Sequence, residues 1–277
     1  MAVVDSHAHL YSKDEVKYPP IKDPLRPPPG MGSLHHLREE MRANQVSHAV
    51  VIQTSTFYRW DNRLICDTSR ANPDSFAGVV TLDPDAEFSA YLLEEFVRKY
   101  GVRGFRSLPP VAPRYDTQRV RGLWQKAQDL GIVVSCHLIP LNATDDLASL
   151  LERFPDLPVV LDHCLITKPD ENLEPTVKKV LELSRFPNLH AKLTFVPLGS
   201  IEPYPCKDLQ NSCKRIINAF GPERCIWGSN FPCELWCPKI TYSQHLTIFK
   251  DQMDLTDYEQ KFILGETSRK LWFSQRS

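Results

Sequence analysis

The chain of 277 residues lacks several features that would each point to a particular class of protein. No apolar run approaches the ~20 residues of a transmembrane helix, so we expect no membrane span. The net charge is only −1, which implies no polyanion-binding surface and argues against nucleic acid as a partner. The N-terminus reaches Asp5 and His7 without a charged and then apolar leader, so we expect no signal peptide.

The eight cysteines include no Cys-x-x-Cys pair of the kind that holds a metal or shuttles electrons. Cys136 and Cys164 fall at the ends of apolar runs, where small buried thiols are common. Four others are expected nearer to loops, and their spacing does not support a disulfide, although it leaves one open. These are Cys206, Cys213, Cys233 and Cys237. We therefore predict a reducing, cytoplasmic location.

Strand-like and helix-like segments alternate along the chain. Eight apolar runs predict strands near residues 2–6, 48–53, 77–82, 102–106, 132–138, 158–163, 189–195 and 225–230. Amphipathic segments with helical spacing separate most of them, as at 34–45 and 88–100. This alternation, with 42% hydrophobic residues, predicts an α/β protein with a single-domain (β/α)8 TIM barrel over residues 1–277.

Two segments interrupt the alternation. Residues 11–33 hold six prolines and no helical or strand period, and loops of this length in a compact domain are usually functional or disordered. Because this segment follows the first strand, we predict a Pro-rich active-site loop over the C-terminal mouth of the barrel. Residues 233–241 follow the last strand and contain Trp236, so we expect them to border the mouth as well.

Four histidines follow predicted strands at the end where such barrels place catalytic groups. His7 and His9 are spaced i, i+2, so their side chains point to the same side of the first strand. His137 and His163 follow the fifth and sixth strands, and Asn230 follows the eighth. A single histidine at such a position is more often a buried group whose hydrogen bonds are made within the protein. Four at one face favour a site, with His7, His9, His163 and Asn230 as catalytic candidates.

This set supports two mechanisms. In the first, His7, His9 and His137 hold a divalent metal, zinc or manganese, which supplies hydroxide near neutral pH. In the second there is no metal, and the histidines stabilise an oxyanion on a carbonyl oxygen while a strand-8 carboxylate deprotonates water. Both mechanisms favour an acid at position 230, and an asparagine can orient water but cannot take its proton.

Four further side chains are predicted to bind substrate. Arg106 ends the fourth strand and suits a carboxylate or a polyhydroxylated ring, with a salt bridge at the barrel rim as its alternative. Lys192 on the seventh strand lies either near substrate or in a buried ion pair. Arg63, in a polar loop after the second strand, and Trp236 complete the set.

Motifs along almost the whole chain resemble the second amidohydrolase family, metal-dependent hydrolases of the (β/α)8 type. They include Asp5-x-His7-x-His9-Leu10, Asp61-Asn62-Arg63, Gly78 to Pro84, Val102 to Arg106, Leu157 to His163, Phe220 to Arg224, Trp227-Gly228-Ser229 and Leu264 to Leu271. The chain is most similar to the lactonase branch, which includes 2-pyrone-4,6-dicarboxylate lactonase and the sugar-acid lactonases. That resemblance implies hydrolysis of a cyclic ester, in some members without metal. A decarboxylase branch implies zinc on His-x-His, a strand-5 histidine and a strand-8 aspartate, and His137 fits it.

Asn230 departs from the family, whose strand-8 motif ends in aspartate. It reflects either a natural change of activity or an exchange made to trap substrate, and the intact histidines favour the second. By strand parity we expect Asp162 to point into the barrel wall, so that no carboxylate replaces position 230. A metal would then be bound weakly, because no formal negative charge lies near it.

Together these observations predict a hydrolase that opens a lactone of a small carboxylated or hydroxylated acid. The alternatives are a metal-dependent decarboxylase of the same superfamily and a catalytically silent ligand-binding homologue. The expected partner is a small-molecule substrate, without nucleic acid or membrane, and a homo-oligomer is left open.

Overall fold

The computed structural model describes residues 2–111, 114–138 and 143–274. Eight parallel strands pair in sequence order in one sheet. They are β1 Val3–Ala8, β2 Val46–Ile52, β3 Phe76–Thr81, β4 Gly104–Ser107, β5 Val133–Cys136, β6 Val159–Leu161, β7 Leu189–Lys192 and β8 Cys225–Ile226. The chain beyond β8 closes the ring, because Phe231 bridges Ala8 and the His9 N–H donates to the Phe231 carbonyl at 2.8 Å. The predicted single-domain (β/α)8 barrel is therefore confirmed.

Helices cover the outside of the barrel and connect its strands. The α-helices are α1 Leu34–Ala43, α2 Ser55–Tyr58, α3 Arg63–Ala71, α4 Ser89–Tyr100, α5 Gln118–Asp129, α6 Thr144–Arg153, α7 Leu173–Leu183, α8 Phe195–Gly199, α9 Lys207–Phe220, α10 Cys233–Trp236, α11 Tyr242–Thr247 and α12 Asp257–Lys261. Short 3-10 turns span Asp162–Leu165 and Pro222–Arg224, and π-helical turns span Ile248–Gln252, Phe262–Glu266 and Arg269–Phe273. No helix in the described ranges has the length and hydropathy needed to cross a bilayer.

Different kinds of side chain fill the two ends of the barrel interior. Alternate strand residues such as Val50, Val79 and Val160 form a small apolar cluster with Trp272, separate from the large core between strands and helices. Towards the carboxyl ends of the strands the buried side chains become polar and charged, with Lys192 fully buried. The apolar layers stabilise the barrel, and the polar end is left for chemistry.

The Pro-rich segment packs beside the mouth. Its backbone reaches α2, where the Ile21 N–H donates to the Phe57 carbonyl at 2.8 Å. Tyr11 and Tyr18 form an apolar cluster with Phe57 and Tyr58. The carboxyl ends of the strands surround a cavity that α2 borders directly, and the side chains of 12–33 are not among the described residues that line it. All eight cysteines are free and buried, so none forms a disulfide.

Candidate active site

A cavity of about 250 Å3 opens at the carboxyl ends of the strands and gathers most of the predicted site. Six predicted residues line it: His9, Arg106, His137, His163, Asn230 and Trp236. His7 and Lys192 are completely buried and lie beneath it rather than in its lining. Arg63 does not line it either, because its guanidinium pairs with Asp61 at the start of α3.

The His7 and His9 side chains meet as their spacing predicts. Their Nε2 atoms are 3.1 Å apart, and His9 Nδ1 lies 2.9 Å from the Ile52 carbonyl oxygen. His7 Nδ1 lies 3.2 Å from the Lys192 ammonium, which can only donate. These partners fix the tautomers: His9 carries its proton on Nδ1, and His7 donates from Nε2 to His9.

A glycine allows this arrangement at the end of β1. A Cβ on Gly228 would lie 2.7 Å from the His7 Cβ, closer than real side chains approach. Asp5 ties the same two strand ends together, accepting bonds from the His7 and Ser229 N–H groups at 3.0 and 2.9 Å. The first and last strands thus position His7 jointly.

Arg106 organises the opposite histidines. Its Nη2 lies 3.0 Å from His137 Nδ1 and 3.3 Å from His163 Nε2, so both nitrogens accept. His163 then keeps its proton on Nδ1, which donates to the Thr194 hydroxyl at 2.6 Å. His137 keeps its proton on Nε2, where it is available to the cavity. The His7 and His163 ring centroids are 4.6 Å apart, so the ends of β1 and β6 bring these two predicted site residues together.

The expectation that Asp162 points into the wall is wrong. Strand parity fails because β6 ends at Leu161 and the next residues turn sharply, with left-handed φ values of 55° at His163 and 44° at Cys164. Asp162 is fully buried at the centre of the site. Its Oδ1 accepts from Lys192 at 2.6 Å and its Oδ2 accepts from Arg106 at 2.9 Å. We call this group of Asp162, Lys192 and Arg106 the ionic floor.

The ionic floor sets the protonation of its neighbours. Although burial alone would raise the pKa of Asp162, Lys192 and Arg106 lower it well below its usual range. Burial, with the positive charge of Arg106, lowers the pKa of His9 and of His137 to about 3. Burial also lowers the pKa of His7 and of His163 well below the ordinary value. All four imidazoles are therefore neutral at physiological pH.

Asn230 is well accommodated as an amide. Its backbone is left-handed, with φ 56°, a region that asparagine tolerates better than most residues. Its Nδ2 donates to the Thr194 carbonyl at 3.1 Å, a contact that an ionised aspartate could not make. Its Oδ1 is left as an acceptor in a residue that lines the cavity.

A His/Asp cluster that could attract a metal is present, but it differs from the predicted triad. Ligand atoms of His7, Asp162 and His163 lie within 4.8 Å of one another, a group that includes neither His9 nor His137. Both Asp162 oxygens are already bound by cations, and His7 Nδ1 faces Lys192. A dication here would meet two fixed cations balanced by one carboxylate, so these residues do not fit a divalent metal as they are arranged.

Sequence reasoning did not assign a role to three groups around the cavity. Lys168 is an exposed cation that lines the cavity. It lies only five residues after His163, so its place in the sequence could have identified it as a candidate site residue. Thr54 and Thr194 follow β2 and β7, where isolated threonines give no distinguishing pattern.

Comparison with known proteins gives one family and many similar folds. A family model described as amidohydrolase matches residues 4–273. A probable 2-pyrone-4,6-dicarboxylic acid hydrolase from Acinetobacter baumannii with citric acid bound is 22% identical, with a TM-score of 0.82, and the match covers 98% of this chain and 99% of that one. A search of curated proteins found no match.

Two other solved structures share this fold, and one is described as a zinc-bound amidohydrolase and the other as a decarboxylase. An amidohydrolase from Burkholderia multivorans with bound zinc is 20% identical, with a TM-score of 0.76, covering 98% of this chain and 99% of its own. A 2,6-dihydroxybenzoate decarboxylase from Rhizobium is 13% identical, with a TM-score of 0.70, covering 98% of each chain. At these identities the similarity establishes the fold alone.

Proposed function

This chain belongs to the amidohydrolase family, and from that premise we propose that it is a hydrolase that opens a lactone of a small carboxylated or hydroxylated acid. The observation that carries the proposal is the charge of the cavity. Arg106 lies at its floor and Lys168 at its rim, while no acidic side chain is among the described residues that line it. Such a cavity favours a carbonyl that becomes an oxyanion and a product that carries a carboxylate.

The geometry supports a direct attack of water on the ring carbonyl. The carbonyl oxygen would accept from the Arg106 guanidinium and from the His137 Nε2–H, so the negative charge develops against two donors. Water would replace the His7 Nε2–H as the partner of His9 Nε2 and would also donate to the Asn230 Oδ1. Its oxygen would form the new bond to the carbonyl carbon as one of its protons passes to His9 Nε2. As the ring C–O bond breaks, His9 Nε2 gives the proton that it took from water to the departing alkoxide oxygen, and the new carboxylic acid releases its own proton to solvent.

Position 230 limits the rate in this mechanism. His9 has a pKa of about 3 and is therefore a weak base, and Asn230 can orient water without taking its proton. Asn230→Asp would place a carboxylate beside the water. We expect it to raise kcat by roughly 100-fold, the lower end of the usual contribution of a positioned base.

Metal is an alternative source of activation. The resemblance predicts weak zinc or manganese binding, strengthened in Asn230→Asp, and a bound dication would supply hydroxide. Because the ionic floor does not fit a dication, the proposed reaction uses only the residues of the chain. Elemental analysis of both forms after one purification tests this: equal, stoichiometric metal in both would contradict it.

A panel assay tests the reaction itself. Proton release would be followed with 2-pyrone-4,6-dicarboxylate and with 1,4- and 1,5-aldonolactones, and CO2 release with dihydroxybenzoates. We expect lactone opening, with Lys168→Met raising KM about tenfold through loss of one charge-assisted contact. Lys178→Met, an exposed lysine on α7 outside the cavity, is the matched control. CO2 release without lactone opening would favour the decarboxylase, and binding without turnover in either form would favour a silent homologue.

A further inference from the structure

A second cavity of about 410 Å3 lies beside the main one, where the segments that follow β2, β3 and β4 meet. The two cavities share Ser55 and His137 among their lining residues, so they are adjacent and these two residues lie on their common boundary. The main cavity holds only about 250 Å3, below the roughly 300–1,000 Å3 of most small-molecule sites. A substrate larger than a simple acid would therefore extend into the second cavity.

The segment that follows β2 is held in a strained conformation at this second cavity. Arg59 has φ 54° and ψ −107°, a backbone conformation that residues with a side chain rarely adopt. The completely buried Gln53 holds it there, because its Nε2 donates to the Arg59 and Asp61 carbonyl oxygens at 2.7 and 3.1 Å. Strain of this kind is typical of functional sites, and here it presents Arg59 and Trp60 to the cavity.

Much of the lining of the second cavity suits a planar ring. The half-buried Trp60 is joined there by Pro84, Pro109 and Pro110. The Arg59 guanidinium lies over the Trp60 ring, 4.8 Å from its centroid, so two planar groups are already stacked. Indole, proline and stacked guanidinium groups offer broad contact surfaces to another planar group, and an aromatic ring matches them best.

The charged groups of this cavity are not paired with one another. Arg59 forms no ion pair within the described ranges, although Asp83 and Asp85 line the same cavity. Asp83 Oδ1 accepts from the Asp85 N–H at 2.9 Å and Asp85 Oδ2 from the Val111 N–H at 2.8 Å, which leaves each carboxylate a second oxygen. A carboxylate here would be repelled by the aspartates and an ammonium by Arg59, whereas a neutral hydroxyl can accept from Arg59 and donate to an aspartate.

We propose that the second cavity is a subsite for a second ring of the substrate, an uncharged aromatic ring with a hydroxyl group, linked to the lactone that reacts beside Arg106. The proposal rests on the proposed lactone-opening function and extends it, because it adds an aryl substituent to the acid. It assigns Arg59 and Trp60 to substrate recognition and leaves the chemical step to the main cavity.

Calorimetric titration tests the subsite without turnover. The probes are 3-(4-hydroxyphenyl)propionate and 5-(4-hydroxyphenyl)valerate, which place the ring at two distances from the carboxylate, with propionate and valerate as the acids that lack the ring. We expect at least one aryl acid to bind about tenfold more tightly than its ringless counterpart, because the ring is removed from water. Trp60→Ala should abolish this gain and leave the affinity for the ringless acids unchanged.

Two further probes test the charge argument. A carboxyl or an aminomethyl group in place of the phenol hydroxyl should weaken binding, because each brings a like charge to Asp83 and Asp85 or to Arg59. Tyr91→Ala is the matched control, since Tyr91 is an exposed aromatic residue of α4 outside the cavity lining. It should leave all affinities unchanged, and thermal melting would establish that each variant is folded.

Several results would overturn the subsite. They are no gain from the ring at either chain length, a gain that persists in Trp60→Ala, an equal loss of the ringless acids in that variant, and tighter binding of a charged ring than of the phenol. A gain that depends on Trp60 in a protein that opens no lactone would retire the reaction and keep the subsite. Lactone opening without any gain from the ring would retire the subsite and keep the reaction.

Discussion

The ionic floor and the side of the cavity beside His9 differ in whether their polar groups carry charge. In the ionic floor, both Asp162 oxygens and the charged ends of Lys192 and Arg106 bind one another or a neighbouring histidine. On the side beside His9, the cavity is lined by Thr54 and Trp236, which carry no charge. A buried network of opposite charges fixes its own geometry and the protonation of its neighbours, whereas uncharged groups impose no such field. The floor is therefore expected to control stability and protonation, and the uncharged side to influence them little.

The largest effect should come from breaking the floor at its anion. Asp162→Asn leaves two buried cations without a counter-charge, and we expect the free energy of unfolding to fall by about 3–5 kcal/mol. Urea denaturation followed by circular dichroism measures it. The control Asp61→Asn breaks the exposed pair with Arg63 and should cost less than about 1 kcal/mol. Equal losses of unfolding free energy in the two variants would show that the ionic floor contributes no more to stability than an exposed ion pair does.

Removing a cation from the floor should make room for a metal. Lys192→Met keeps the length of the side chain and leaves Asp162 paired with Arg106 and hydrogen-bonded to Ser135. Because repulsion between a fixed cation and a dication is lost, we expect zinc affinity to rise about 100-fold. Competition with a chromophoric chelator measures the affinity, with Lys178→Met as the control. An unchanged affinity would mean that Lys192 does not exclude metal.

Acid should destabilise the protein through its neutral histidines. His9 and His137 have pKa values of about 3 in the folded state, against about 6.5 when unfolded. The unfolded state binds more protons, so the stability they contribute is complete above pH 6.5 and is lost as the pH falls towards 3. Each of these two histidines should lower the free energy of unfolding by roughly 1.4 kcal/mol for every unit by which the pH falls within that window.

Urea denaturation between pH 7.5 and 4 gives this slope. His9→Asn should reduce it by the share of one histidine, whereas His35→Asn, an exposed residue of α1, should leave it unchanged. A free energy of unfolding that does not vary between pH 6.5 and 4 would mean that these imidazoles are not held neutral.

The sequence predicted the barrel and the position of the site well, because both depend on local patterns. Apolar runs mark strands, and in this fold the ends of strands mark the mouth, so the lining by His9, Arg106, His137 and Asn230 followed directly. Asp162 was misplaced because the prediction extended strand parity past the end of β6, where four successive residues with positive φ replace the alternation.

The partners of buried charges were harder to predict. Lys192 had two interpretations from the sequence, and only the approach of β6 to β7 brings its ammonium to Asp162. Likewise, the place of Tyr11 depends on its packing against Gly32, twenty-one residues later in a segment without period. Contacts between distant segments leave no trace in local spacing.

The smallest effect is expected at Arg63, which the sequence placed among the substrate-binding residues. Because its guanidinium pairs with Asp61 outside the cavity lining, Arg63→Ala should change kcat/KM by less than about twofold. Steady-state kinetics on any lactone that the protein opens provides the measurement. A change comparable to that of Lys168→Met would bring Arg63 back into the site.

The most direct test of the account is lactone opening under metal-free conditions. The protein would be dialysed against a chelator, its metal content measured, and proton release followed with the lactone panel before and after zinc is added back. We predict that at least one lactone is opened at the same rate with and without metal, because Arg106 and His137 stabilise the oxyanion. Activity that disappears with the chelator and returns with zinc would contradict the account.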